Sequence, residues 1–375
     1  MNERQRLMAV FQGAPPDRLP WYADLSYLYE SMRLRGALEE RFAGPEGYLK
    51  FHQELGAGIC FYAPFLWEQR YTGGISEAVQ ENHTTKISTL HTPIGSVREV
   101  QAYLPDAWTW AITEHFVKDL KDLRVLLYAC EHRQIGPNYA EYSAVDRSWG
   151  PDGYAVGIAP IAGAPLQRLL TRWAGVETTI SLLSDRREEV EAVFTDIEEA
   201  DTPIFDILCA SPCSVIEFPE NLSAEVTGRR FFERYNAPYY SRRIEALHRA
   251  GKKAGIHNDG TLRGTFDLLG KCGFDFIESV TPSPVGDIPL RQLRAAAGPQ
   301  VILWGGLPGA LFSPCFSAAQ FEAHLQEAVQ VFSEDGRCVL GVADQVPPDG
   351  LISRVQRVRE VVEANAKTSA AEREL

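Results

Sequence analysis

From residue 154 onward, the sequence alternates between short apolar runs and longer amphipathic stretches, a pattern that few folds can accommodate. The apolar runs are 155–159, 214–218, 253–257, 274–278, 300–304 and 338–342. The stretches 186–195, 318–332 and 352–364 lie between or after them and have helical periodicity. Strands that alternate with helices are joined by right-handed crossovers, so the pattern predicts a parallel sheet.

Two earlier apolar runs, 18–24 and 58–63, bring the number of predicted strands to eight. Eight strand–helix units predict a (β/α)8 TIM barrel, which we expect to form one domain over residues 1–375. An open doubly wound sheet is the alternative, but no glycine-rich phosphate-binding motif follows the first strand. A charged helix over 2–11 is expected as an N-terminal extension, and 366–375 as a frayed tail.

The region between the second and third predicted strands has a different pattern. Residues 84–104 alternate apolar and polar side chains around a turn at 92–96. This pattern predicts a β-hairpin inserted into the barrel. Residues 139–152 are polar and irregular, which predicts a loop near the site.

The charge balance excludes some classes of partner. The 37 Lys and Arg residues against 50 Asp and Glu give a net charge of −13, whereas nucleic-acid and anionic-membrane surfaces need basic patches. The 7 cysteines form no CxxC pair, which indicates a reducing compartment. No run approaches the roughly 18 apolar residues of a membrane span, and residues 1–12 lack a signal-type apolar core. We expect a soluble cytoplasmic protein with a small-molecule substrate, and a homodimer as one assembly.

Polar residues gather at the carboxyl ends of the predicted strands. They are Asp24, Glu217, Glu220, Asn221, His257, Asn258, Asp259, Glu278, Trp304, Asp344 and Gln345. In a parallel barrel these ends converge on the face that carries the active site. Helix capping explains some of them, but crowded carboxylates must hold a cation, share protons or bind a hydrogen-bond donor. The residues alone allow a divalent metal bound by O and N ligands, or acid–base chemistry without metal.

We expect the members of this set to have different roles. His257, Asp259, Glu278 and Asp344 are the candidate catalytic residues, with Glu278 orienting the imidazole of His257. We expect the side chains of 257, 259 and 344 to converge. The remaining residues are candidates for substrate binding, namely Asp24, Glu217, Glu220, Asn221, Asn258, Trp304 and Gln345.

Five segments resemble the uroporphyrinogen decarboxylase superfamily in order and spacing. They are the helix and Gly-x-x-x-Asp-Arg-x-Pro turn at 7–20, Thr92–Ser96, His257–Gly260, Trp304–Pro308 and Gly341–Pro348. The resemblance covers nearly the whole chain. True decarboxylases of this superfamily carry an Arg-Gln-Ala-Gly-Arg stretch after the first strand, which holds the substrate carboxylates. The matching residues here, 22–29, contain no arginine, which argues against a tetrapyrrole substrate.

The other branch of the superfamily, which this chain resembles more closely, contains corrinoid-linked methyltransferases. These bind zinc through His-x-Cys and a later Cys, positions that correspond to His257, Asp259 and Asp344. Aspartate replaces both cysteines, and carboxylates make a harder, less thiophilic site than thiolates. The resemblance places a divalent metal such as zinc at these three residues, but the two aspartates argue against thiol methylation. An enzyme with a different acceptor, or one that works by acid–base chemistry without metal, fits the residues at least as well.

The resemblance implies transfer of a methyl or other one-carbon group, with a corrinoid protein or folate as the carrier. A decarboxylase or lyase acting on a small carboxylic acid other than a tetrapyrrole is the alternative enzyme. A ligand-binding barrel without catalysis is the third interpretation.

Overall fold

The computed structural model describes residues 1–44, 46–60, 64–105 and 109–373, with side chains to residue 367. The strands are β1 Trp21–Tyr22, β2 Trp67–Tyr71, β3 Ser76–Glu81, β4 Thr85–Thr92, β5 Gly95–Leu104, β6 Thr109–Glu114, β7 Arg133–Pro137, β8 Gly157–Ile158, β9 Val215–Phe218, β10 Lys253–His257, β11 Phe276–Val280, β12 Ile302–Pro308 and β13 Cys338–Ala343. The helices are α1 Glu3–Phe11, α2 Ser26–Leu34, α3 Gly47–Leu55, α4 Leu120–Glu131, α5 Tyr139–Trp149, α6 Pro165–Arg168, α7 Gly175–Asp185, α8 Arg187–Ala200, α9 Thr202–Ala210, α10 Ala224–Thr227, α11 Arg229–Phe231, α12 Ala237–Arg249, α13 Phe266–Cys272, α14 Leu293–Ala297, α15 Ala318–Asp335 and α16 Ile352–Arg373.

A curled, seven-stranded sheet forms the centre of the molecule. Its order is β1-β13-β12-β11-β10-β9-β8, and every pairing in it is parallel. The six strands predicted from residue 155 onward are confirmed, as is their common direction. Strands β11 and β13 are buried along their whole length, because helices cover one face and the interior of the curl covers the other.

The second predicted strand, 58–63, is described only in part. Tyr22 forms a parallel bridge with Gly58, and Ile59 forms another with Gly153. Residues 61–63 lie outside the described ranges.

The outer helices pack on the sheet through the apolar face that their sequence periodicity predicts. In α12 the buried residues Tyr239, Tyr240, Ile244 and Leu247 recur at helical spacing, and the Tyr240 ring packs edge-on against Phe218 of β9 at 6.0 Å. Full burial of such a side chain contributes about 1.5–3 kcal/mol. The helix ends at the turn containing Gly251, whose φ of 74° suits glycine.

Aromatic side chains fill the interior near the amino end of the sheet. Phe11 of α1 contacts Phe276, the first residue of β11, with ring centroids 5.2 Å apart. Trp304 lies between Phe11 and Tyr22 at 6.4 Å and 5.5 Å. A Cβ on Gly255 would come within 2.0 Å of the Phe276 ring, so this position needs glycine. Helix α1 therefore closes the end opposite the carboxyl ends of the strands.

The predicted hairpin is present as β4 and β5, and it is part of a larger excursion. Strands β3 to β6 form a four-stranded antiparallel sheet, while β2 pairs with β7. Leu90 and Val97 join this sheet to Leu120 and Val125 of α4 in a second hydrophobic cluster, separate from the main core.

Two terminal or connecting segments differ from expectation. The prediction of a loop over 139–152 is wrong, because helix α5 and a 3-10 turn at Gly150–Asp152 occupy the segment. Tyr142 anchors the helix, since it is buried and its hydroxyl donates to the carbonyl of Ala155. Helix α16 runs to Arg373, so most of the segment expected to fray belongs to a helix. Within the described ranges, we find no helix with the length and apolarity needed to cross a bilayer.

Candidate functional site

The carboxyl ends of β9, β10, β11 and β13 bring the site residues together. His257 ends β10 and lies in register with Glu278 of β11, so both side chains share one face of the sheet. Glu217 of β9 pairs with Gly255, two residues before His257. Asp344 follows directly after β13. The apolar strand residues fix the backbone, and the polar side chains project beyond it.

The imidazole of His257 lies at the centre of four carboxylates. Its Nδ1 lies 2.5 Å from Oε2 of Glu278 and 4.0 Å from Oε1 of Glu217. Its Nε2 lies 3.6 Å from Oδ1 of Asp344 and 4.0 Å from Oδ2 of Asp259. The side chains of His257, Asp259 and Asp344 therefore converge, as expected. The bond to Glu278 places the Nδ1 proton and leaves Nε2 facing the two aspartates.

Burial and like charge shift the ionisation of this group. Burial opposes the imidazolium, yet Glu278, Asp344 and Asp259 raise the pKa of His257 well above 6.5. Burial and the Glu278 carboxylate also raise the pKa of Glu217 well above 4.5. Partial burial, reinforced by Glu278, raises the pKa of Asp344 to about 7. The group therefore holds protons near neutral pH, because negative charges outnumber positive ones.

A cavity of about 300 Å³ opens onto this group. Its lining comprises Asp24, Tyr27, Ile158, Glu217, Pro219, Asn221, His257, Asp344 and Gln345. Neither lysine nor arginine is among these described lining residues. Burial raises the pKa of Asp24 to about 6, although the backbone N–H of Ser26 donates to its carboxylate at 2.8 Å. Anionic ligands are disfavoured here, whereas cations and hydrogen-bond donors are favoured.

Comparison with known proteins now identifies the family. The family model for uroporphyrinogen decarboxylase (URO-D) matches residues 154–365, which is more than half of the chain. This chain belongs to the uroporphyrinogen decarboxylase family. The match includes β8 to β13, and it confirms the resemblance found in the sequence.

A solved structure of a methyltransferase from Methanosarcina mazei shares the fold of this family member. The two align with a TM-score of 0.60 over 97% of this chain and 99% of that one, at 14% identity. At that identity the likeness shows the fold alone. No curated protein sequence matches the chain.

Three side chains fit a divalent metal on the evidence of their own geometry. Atoms of His257, Asp259 and Asp344 lie within 4.8 Å of one another, and all three residues are half-buried. Once a metal displaces its proton, Nε2 of His257 can donate its lone pair, since Nδ1 is engaged by Glu278, the carboxylate partner typical of metal-bound histidine. One nitrogen and two oxygens suit a hard or borderline ion and leave positions for a ligand. Glu217, His257 and Glu278 form a second candidate set, but it uses Nδ1 and is more deeply buried.

Two residues expected to bind substrate instead hold loops in place. Glu220 is fully buried and accepts hydrogen bonds from the backbone N–H groups of Gly163 and Ala164 at 3.1 and 3.2 Å. The amide of Asn258 donates to the Leu222 carbonyl at 3.0 Å. Neither residue lines the cavity. Their contacts tie the loops after β8, β9 and β10 to one another.

Trp304 lies in the core and not in the cavity. It is 1% exposed and packs against the amino-end aromatic residues described above. Strand β12 continues to Pro308, so Trp304 is its third residue and does not stand at its carboxyl end. The geometry therefore gives no support to its expected role in substrate binding.

The cavity also includes residues that the sequence reasoning did not single out. Tyr27, Ile158 and Pro219 line it, and Cys60 lies behind it, where burial and then Glu278 and Glu217 raise the pKa of its thiol. The only sequence signal for Cys60 was its place within the second predicted strand, 58–63. Tyr27 had no comparable signal, because it lies one turn beyond the strand end.

Proposed function

We propose that this family member transfers a methyl or other one-carbon group between a carrier and a heteroatom of a small molecule. The carrier is a corrinoid, held by a partner protein, or a folate. The observation that carries the proposal is the imidazole surrounded by carboxylates at the cavity floor. The family and the shared fold with a methyltransferase support it.

The electrostatics of the cavity suit the charge that moves in such a reaction. In the methylation direction, a lone pair of the heteroatom forms the new bond to carbon. The bond between carbon and carrier breaks, and its electron pair stays on the carrier. Positive charge grows on the heteroatom until its proton leaves, and nearby carboxylates stabilise that charge. Without a bound metal, Asp344, with a pKa of about 7, suits the role of proton acceptor.

The chain's own residues divide this work among them. Glu278 fixes the orientation of the His257 ring, while Glu217 and Asp24 border the cavity and favour a donor group on the substrate. His257, Asp259 and Asp344 would hold a divalent metal. When bound, such an ion would act as a Lewis acid and lower the pKa of the acceptor heteroatom.

The decarboxylase interpretation requires a substrate carboxylate in this cavity. Asp24, Glu217 and Asp344 would repel it, and no arginine or lysine is among the described lining residues. The same argument opposes a tetrapyrrole with many carboxylates.

We also propose that the central sheet closes into a (β/α)8 barrel. The support is the pair of parallel bridges through Gly58 and Ile59, which connect β1 to the segment that leads into β8. Closure would place Asp24 and the end of the second strand on the same rim as His257.

The test uses free methylcobalamin as a surrogate carrier with a panel of amine, alcohol and thiol acceptors, followed by visible absorbance. We expect transfer by the wild type and a loss of at least 100-fold in His257→Ala, with folding checked by circular dichroism. The matched control is His248→Ala, since His248 pairs with Asp275 on the exposed surface at 2.8 Å. The proposal is wrong if His257→Ala retains wild-type transfer.

A further inference from the structure

A second depression of about 360 Å³ lies beside the acidic cavity. It is lined by Ser26, Tyr27, Tyr29, Glu30 and Tyr48, which come from α2 and the start of α3. We call it the tyrosine groove. Tyr27 borders both the groove and the cavity, so a ligand can extend from one into the other.

Contacts with the surrounding backbone fix two of the three tyrosine rings. The hydroxyl of Tyr29 donates to the Phe42 carbonyl at 2.6 Å, and the Tyr48 hydroxyl accepts from the Leu25 N–H at 3.3 Å. The two rings meet edge-on with centroids 5.2 Å apart. Tyr27, in contrast, is 40% exposed. The groove therefore has rigid walls and one aromatic side chain at its open edge.

One carboxylate without a lysine or arginine partner in the described ranges adjoins the groove. Ser26 lies on its wall, and the N–H of Ser26 donates to Asp24, so Asp24 stands where the groove meets the cavity. Among the residues that the structure describes, no lysine or arginine pairs with Asp24. Glu30 adds a second carboxylate, although it is half-exposed and paired with Arg33 at 2.5 Å.

We infer that the tyrosine groove binds a substituted ammonium group of the substrate, an inference that deepens the proposed transfer function and rests on it. Aromatic faces attract such cations through their quadrupole, and neighbouring carboxylates add to the attraction. Alkyl substituents on the nitrogen contact the rings as apolar groups do. The substrate class is thus a small alkylammonium compound whose reacting heteroatom reaches His257.

The groove could instead hold a neutral aromatic part of a substrate, which the rings alone would accept. Asp24 favours the cation, because an uncharged group gains nothing from its carboxylate, whereas the charge of Glu30 is balanced by Arg33. The two occupants differ in their dependence on charge, so an isosteric pair of probes separates them.

The experiment compares choline with its neutral isostere 3,3-dimethyl-1-butanol, and with phenol, by isothermal titration of metal-free protein without a carrier. We expect choline to bind at least 10-fold more tightly than either neutral probe. Equal affinities for the isosteric pair, binding of phenol without choline, or no choline binding would each overturn the inference.

Three variants locate the binding. Tyr27→Phe, which keeps the ring, should retain choline affinity, whereas Tyr27→Leu should lose about 10-fold, since a cation–π contact is worth roughly 0.5–2 kcal/mol. Tyr103→Leu, in the inserted sheet, is the control and should change nothing. Equal choline affinities in wild type and a folded Tyr27→Leu would place the site elsewhere and defeat the inference.

Choline binding and methyl transfer are measured separately, so failure of the subsite can be told from failure of the proposed function. His257→Ala, which should lose transfer, should still bind choline. If wild-type protein binds choline in the groove but transfers no methyl group, the proposed function fails and the subsite stands.

Discussion

Two of the places where the described structure buries carboxylates do so in opposite ways. Asp201 is fully buried between Arg133 and Arg168. Its Oδ1 lies 2.6 Å from the guanidinium of Arg133, and its Oδ2 lies 2.6 Å from that of Arg168. Although burial favours the neutral acid, Arg168 and Arg133 hold the pKa of Asp201 below 3.8. At His257, by contrast, one imidazole faces four carboxylates, and the pKa of Glu217 rises.

The difference separates a structural ion cluster from a candidate site. Around Asp201 both carboxylate oxygens are paired with an arginine, and Arg168 also donates to the carbonyls of Ala162 and Gly163, so the cluster joins α6 and β7 to the residue that precedes α9. Around His257 the excess of carboxylates destabilises the fold unless protons or a cation bind. An unbalanced buried group of this kind is expected where a ligand supplies the missing charge.

The largest expected effect is on the structural cluster. Asp201→Ala leaves two buried guanidinium groups unpaired and should lower the free energy of unfolding by about 3–5 kcal/mol, measured by urea denaturation. The matched control is Asp267→Ala, because Asp267 also contacts two cations, Arg229 and Lys271, each at 2.8 Å, but is 40% exposed. That change should cost less than about 1 kcal/mol. Equal losses in both variants would remove the distinction drawn above.

The next effect is stabilisation of the site by a divalent cation. At about 100 times its dissociation constant, Zn²⁺ or Mn²⁺ should stabilise EDTA-treated protein by about 2.7 kcal/mol, seen as a rise in Tm. Asp259→Asn combined with Asp344→Asn should abolish the rise, since both carboxylate ligands of the three-residue set are replaced. A similar rise in the double variant would show that the ion binds elsewhere.

A smaller effect is expected from removing one of the crowded acids. Glu217→Gln keeps the shape but cannot ionise, so at pH 8 in the absence of metal we expect stability to increase, because burial and the Glu278 carboxylate raise the pKa of Glu217 and penalise its ionised form. In Glu322→Gln, the control, the acid lost is paired with Arg357, and stability should fall slightly. Denaturant midpoints measure both. A loss of stability in Glu217→Gln would mean that a positive group in the wild-type protein compensates the charge of the Glu217 carboxylate.

The smallest effect is a change in pH dependence. The folded pKa of Asp344 is about 7, above its ordinary value of 3.8, so between these values the folded state holds more protons than the unfolded state. Stability from this group is complete below about pH 4 and is lost as pH rises through about 7. Without metal, Asp344→Asn should therefore show a smaller fall in Tm from pH 5 to pH 7.5 than the wild type. Parallel Tm profiles would contradict the raised pKa.

The parallel strands were predictable from sequence because strands buried on both faces are continuously apolar. The carboxyl ends of these strands were harder to predict. The run 300–304 includes only the start of β12, which continues to Pro308, so Trp304 was wrongly assigned to the end of a strand. The positions of His257 and Glu278 followed directly from their strand ends. Glu220 and Asn258 were misjudged because loop side chains can turn toward backbone as readily as toward a cavity.

Two other features had no readable signal. Strand β3 is exposed along its length, so it lacks the apolar alternation that marks a half-buried strand. The tyrosine groove depends on how α2 packs beside α3, and no local pattern encodes that packing. The sequence therefore indicated the reactive side chains more accurately than the shape of the cavity and groove around them.

The pairing of β1 with β13 joins residues from the two ends of the sequence, with Trp21 opposite Leu340. During synthesis, Asp24 therefore leaves the ribosome 320 positions before Asp344, its neighbour in the finished cavity. Until β13 emerges, β1 and β12 each expose an unpaired strand edge, which promotes aggregation and invites chaperone binding. Premature termination shortly before residue 338 should thus yield a chain that is cleared by quality control, even though most of its core residues have already been made.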